Sequence, residues 1–143
     1  MTIIEAIRNY IATNTEIQGL GGKIKVDFLS EDNNSFSIEP IPINPVVEEY
    51  INGGGTYQYA FNVVGKFPYS EEAMMNIENS GFFEEFAEWI RKNNNDDVLP
   101  VLDDGKTSES IRVTSNAYLF SVTQNRQQGR YQIPCLLIYE QEE

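Results

Sequence analysis

Apolar positions recur along the chain with two different periods. Ile4, Ile7 and Ile11, with Tyr10 beside them, share one face at helical spacing, predicting a helix at about 3–13. Thr2 and Glu5 form a capping-box pair at its start. Asn14 and Thr15 weaken the helix, and Gly19-Leu20-Gly21-Gly22 ends any continuation. Ile24-Lys25-Val26-Asp27-Phe28 then alternates apolar with charged, as a half-buried strand does. Phe36-Ser37-Ile38 alternates again after the turn-forming Glu31-Asp32-Asn33-Asn34, predicting a hairpin. Pro40, Pro42 and Pro45 predict an irregular connection over 40–55, with a short helical turn at Val46–Ile51. From Thr56 to Phe67 the period is two: Tyr57, Tyr59, Phe61 and Val63 on one face, Gln58, Ala60, Asn62 and Val64 on the other.

Helical spacing returns after Ser70, a candidate N-cap followed by Glu71 and Glu72. Asn79-Ser80-Gly81 predicts a break, with a second helix at 81–92. Its apolar face is Phe82, Phe83, Phe86, Trp89 and Ile90, and Glu84, Glu85, Glu88, Arg91 and Lys92 lie outside. Asn93-Asn94-Asn95-Asp96-Asp97 closes it. A strand over 110–122, a turn over 124–129 and a strand over 131–139 follow. The run Cys135-Leu136-Leu137-Ile138 predicts burial on both faces of the last strand. The pattern describes a single domain over 1–143 of class α+β, a mainly antiparallel sheet of about five strands with two main helices packed on it.

Composition narrows the function. The chain has 143 residues, 41% of them hydrophobic, which is enough apolar mass for a core. It has no histidine, so histidine-based triads and imidazole metal sites are excluded. The single cysteine, Cys135, closes no internal disulfide and builds no cysteine-rich zinc site. The net charge of −12 argues against direct nucleic-acid binding, which needs clustered Lys and Arg. No stretch reaches the roughly 18–20 apolar residues of a membrane span, and the N-terminus lacks a secretory pattern. A reducing cytosol is the simplest setting.

Carboxylates are the only plentiful reactive groups. Residues 67–104 carry a net −8, read as a solvated helix face and polar loop, or as an acidic cation site. Asp96-Asp97 and Asp103-Asp104-Gly105 lack the alternate ligand spacing of a calcium loop. Gly19-Leu20-Gly21-Gly22-Lys23 lies between a helix and a strand, the reverse of a phosphate loop, and Gly53-Gly54-Gly55 has no lysine in reach. Cys135 reads as a core residue, and Lys23 and Lys25 as exposed. No catalytic, cofactor-binding or metal-binding residue is assigned, no cofactor is expected, and the chain is not read as an enzyme. Tyr57, Tyr59, Tyr118, Tyr131 and Tyr139 supply either an interface or ordinary cross-strand packing.

The stretches Ile24-Lys25-Val26-Asp27-Phe28, Ser37-Ile38-Glu39-Pro40, Asn76-Ile77-Glu78-Asn79-Ser80-Gly81-Phe82 and Tyr131-Gln132-Ile133-Pro134-Cys135 resemble small minor capsid or tail terminator-like proteins of phages and prophages of Gram-positive bacteria. The resemblance covers nearly the whole chain, and its motifs are structural rather than catalytic. It implies an α+β virion protein, assembled in the host cytoplasm, that acts in tail termination or head–tail joining. It also implies self-association into a ring, typically hexameric, with the tail tube and head-completion proteins as further partners. The alternative is a monomeric protein-binding module without catalytic activity.

Overall fold

A computed structural model describes residues 1–21 and 23–143; Gly22, part of the predicted glycine stop, lies outside the described residues. The first helix, α1 (Ile3–Ile11), starts where Thr2 Oγ1 accepts from Glu5 N–H at 3.2 Å. It ends two residues short of the predicted limit, because Asn14 starts a new helix. The buried Asn14 Oδ1 accepts from Ile17 N–H at 3.0 Å and caps α2 (Thr15–Gly19).

β1 (Ile24–Val26) and β2 (Ser35–Ile41) pair in parallel, Ile24 opposite Phe36, so the predicted hairpin is corrected. Asp27, at φ 53°, turns the chain out immediately after β1, and Asn34, at φ 60°, turns it back at the other end. Asp and Asn tolerate this left-handed conformation better than most residues. β1 is only about 10 Å long, so the eight-residue loop suffices to return the chain in the same direction. Ser37 Oγ accepts from Phe28 N–H at 3.2 Å and pins that loop to β2.

The predicted helical turn near 46–51 is also corrected: Val46–Glu49 is a strand, β3, folded onto the start of β4 (Gly55–Pro68). Val46 and Val47 are β-branched. The turn that follows closes through Tyr50 N–H to Gly54 O at 2.7 Å, with Gly53 at φ 96°.

α3 (Ala73–Asn95) runs without the predicted break at 79–81. Asn79 is buried, and its Nδ2 donates away from its own helix, to Pro68 O at 2.7 Å and Tyr131 Oη at 3.4 Å. It therefore does not compete for the helix backbone. Ser70 is not the N-cap; that position is Glu72, and Ser70 Oγ accepts from Glu72 N–H one turn earlier.

The chain finishes with β5 (Lys106–Val113), β6 (Tyr118–Val122) and β7 (Gln128–Gln141), so the single strand predicted over 110–122 is two. The break lies opposite Pro134. Its carbonyl accepts from Thr114 N–H at 3.0 Å, but it has no N–H to return, and the outer strand lifts away over 114–117. Pro40 sits in β2 by related logic. Phe36 N–H and Ile38 C=O point toward β1, so the missing N–H of Pro40 falls on the same side, beyond the end of β1.

Among the described residues the sheet has seven strands in the order β1-β2-β4-β7-β5, with β3 also on β4 and β6 also on β7. The α+β class stands. The sheet is antiparallel except for β1–β2 and has seven strands rather than about five; α1 and α3 are the two main helices, with the short α2 between them. Its spine is the 14-residue pairing of β4 with β7, from Gly55 opposite Gln141 to Pro68 opposite Gln128. The core lies on one face, where Phe36, Phe61, Val63, Phe67, Ile133 and Leu137 meet Ile7 and Ile11 of α1 and Phe83, Phe86 and Ile90 of α3. Gly65 is required there: a Cβ at that position would stand 2.6 Å from the Phe67 ring and 3.1 Å from Phe36.

Candidate functional site

The candidate reactive groups do not converge. Cys135 is fully buried in the core, and burial pushes its thiol well above the usual range. Lys23 and Lys25 are exposed, and Lys25 Nζ lies 5.1 Å from the centre of the Phe28 ring. Asp96 and Asp97 end α3, and Asp103 and Asp104 lie on the exposed approach to β5. Among the described residues no three His, Cys, Asp or Glu side chains gather around a common point. Gly54 and Gly55 are packing glycines, since added Cβ atoms would strike the backbone of Gln141 and Glu48.

The tyrosines separate into two sets. Tyr131 is buried between Phe67 and Phe83, with ring centres at 6.0 and 6.1 Å, and Tyr139 stacks on Tyr57 at 5.8 Å. These are core contacts, and Tyr59 packs beside them. Tyr118 alone of the five is exposed, its Oη accepting from the buried Gln132 Nε2 at 2.6 Å.

Strand edges distinguish the surface. The outer edge of β1 is covered by Arg8, whose Nε donates to Ile24 O at 3.1 Å. The outer edge of β5 is covered by the end of α3: Asn94 Oδ1 accepts from Ile111 N–H at 2.9 Å, and Ser108 Oγ donates to Pro100 O at 2.6 Å. β6 has no such cover among the described residues; on β3, Asn44 Oδ1 accepts from the outward-facing Val46 N–H at 3.0 Å but the rest of the strand is open, and both strands carry exposed apolar side chains. On β6 these are Tyr118, Leu119 and Phe120; around β3 they are Ile43, Val47, Tyr50 and Ile51. Uncovered apolar edges are templates for pairing with another chain. The two lie on opposite sides of the β4–β7 spine and at opposite ends of it, β3 at Gly55–Tyr57 and β6 at Gly129–Gln132. Their charges differ as well: β3 carries Glu48 and Glu49, whereas Arg126 ends the turn after β6 and Arg130 lies 5.2 Å from the Phe120 ring.

The sheet face away from the helices mixes buried apolar side chains, Ala60, Val64 and Leu136, with polar ones. Arg130 Nη2 donates to Glu39 Oε1 at 2.6 Å, while Arg130 Nε and Asn62 Oδ1 are buried there without partners. Sequence reading missed this pair because its members are 91 residues apart with no local signal. It also missed Leu119 and Phe120 as an edge, although Pro134 in the neighbouring strand was the available clue. No family model and no curated protein sequence matches the chain.

Proposed function

We propose that the chain is a self-assembling structural protein of phages or prophages of Gram-positive bacteria, a tail terminator or head–tail joining (neck) component. In this reading it forms a ring, most simply a hexamer, at the end of the tail tube and meets the head-completion proteins from there. It resides in the virion after assembly in the host cytoplasm, and works by shape and contact rather than by catalysis. The observation that carries the reading is the pair of edge strands with exposed apolar side chains, β3 and β6, on opposite sides and ends of the spine. Two unlike patches favour head-to-tail contact, which closes into a ring when the rotation per copy permits. Acidic β3 and the exposed Arg126 in the turn after β6 favour the same pairing. Helices confined to one face of a mainly antiparallel sheet agree with the layout that the sequence resemblance implies. A net charge of −12 opposes association at low salt and suits a channel that passes DNA without holding it.

Electron microscopy of tail tubes with added protein tests the role. The reading requires tubes capped at one end by a ring of this chain. Bare tubes that continue to elongate in its presence would instead favour the monomeric binding module.

A further inference from the structure

A second surface lies between α2 and the N-terminal half of α3, away from both edges. It is an open groove of about 690 Å³, within the size range of protein binding pockets. Leu20, Phe67, Met75 and Phe82 supply its apolar lining. Its charged lining residues are Glu16, Glu78 and Glu85, with no Lys or Arg among them. Along α3 the groove residues Met75, Glu78, Phe82 and Glu85 recur at intervals of three, four and three, so apolar and acidic side chains alternate on a single helical stripe. Met74 and Ile77, one strip over, are more than half exposed and extend the apolar surface.

We propose that this groove docks a cationic amphipathic helix belonging to another protein, with the helix's apolar side chains between Leu20, Met75 and Phe82 and its Lys or Arg side chains on Glu16, Glu78 and Glu85. An apolar stripe in a groove supplies affinity, and charges at the rim fix register and partner choice. The partly buried Met75 and the exposed Met74 suit this use, because their flexible side chains adapt to different apolar surfaces. Charge complementarity selects the occupant. No helix among the described residues of a second copy is cationic, since α1 is neutral and α2 and α3 are net acidic, and an anionic membrane surface is repelled by the acidic rim. The Glu16 and Glu85 carboxyls lie together in this lining with no Lys or Arg beside them. Partial removal from water, then the hydrogen bond and charge of Glu85, lift the Glu16 carboxyl to about 7. An incoming ammonium or guanidinium relieves the repulsion between the two carboxylates. The inference holds whether or not the chain forms rings, since the groove shares no residue with β3 or β6.

The test uses a labelled helical Leu/Lys peptide with lysines spaced one and two turns apart, and the same peptide with Glu for Lys. Anisotropy at physiological salt should show saturable binding of the Lys peptide alone. Amide shift changes in the unmodified protein should centre on residues 16–20 and 75–85. Met75→Lys and the double variant Glu78→Gln/Glu85→Gln should each weaken binding by about tenfold. Glu48→Gln/Glu49→Gln on β3, which removes the same charge elsewhere, should leave it unchanged. Equal losses in the β3 and groove variants, shift changes spread over the acidic surface, or no saturable binding would overturn the proposal. The shift map needs no variant and decides the matter even if a substitution impairs folding.

Discussion

The Arg130 guanidinium and the Glu39 carboxylate meet at 2.6 Å and tie β7 to β2 across the intervening β4, at the level of Val64. Val64 is 0% exposed although it lies on the face away from the helices. Both charged side chains are about three-quarters buried, so the pair is screened less than a surface ion pair. Replacing Glu39 with alanine leaves Arg130 without its partner and should cost about 1–3 kcal/mol in urea unfolding. Glu39→Ala/Arg130→Met should recover part of that loss, because the uncompensated charge is gone. A double-mutant cycle with no coupling would show that the pair does not hold the strands.

Glu16, partly removed from water and beside Glu85, gives stability a pH dependence. The folded state raises the Glu16 carboxyl from 4.5 to about 7, so folding favours its protonated form. Its stabilising contribution is fully present below pH 4.5 and is lost as pH rises through about 7. Glu85→Gln removes the opposing charge and leaves an amide to donate to Glu16. The variant should be more stable than the parent above pH 7, and the slope between pH 4.5 and 7 should flatten. Parallel stability curves for the two proteins would contradict the assignment.

Two glycines should respond to alanine in opposite directions. Gly81 sits in the middle of α3 with no heavy atom within 4 Å of an added Cβ, so Gly81→Ala should stabilise by about 0.5–1 kcal/mol. Gly65 lies under the Phe36 and Phe67 rings, and Gly65→Ala should destabilise by roughly 1–3 kcal/mol. Thermal melts of the two variants check both signs.

The aromatic face of α3 divides by burial. Phe86 is 1% exposed, whereas Trp89 is only half-buried, packed against Tyr10 at 5.3 Å. Phe86→Ala should cost about 3–5 kcal/mol and Trp89→Ala less. Equal losses would mean that Trp89 is as much a core residue as Phe86.

How much the sequence revealed depended on whether a pattern was local. The period-two run from Thr56 to Phe67 and the apolar stretch at 135–138 mark β4 and β7, because burial writes directly onto alternation. The Thr2 cap was legible for the same reason. The parallel β1–β2 pair was not, since strand direction depends on the left-handed Asp27 and Asn34, and alternation carries no direction. Asn79 and Gly81 looked like a helix break because the contacts of Asn79 with Pro68 and Tyr131 are tertiary. The open edges were hidden too: Arg8 and Asn94 protect β1 and β5 from afar, which leaves β6, and β3 beyond its Asn44-capped start, as the exposed ones.

Head-to-tail contact between β3 and β6 is most directly tested by the mass of two edge variants, alone and mixed, at high salt. Val47→Lys blocks the β3 patch and Phe120→Lys blocks the β6 patch, both at exposed positions that leave the core intact. The unmodified protein should grow in mass as salt rises and charge repulsion is screened. Each variant alone should stay monomeric, and an equal mixture should give dimers that grow no further, because each partner supplies the one patch the other lacks. Association of either variant by itself, or a mixture that stays monomeric while the unmodified protein assembles, would contradict the account.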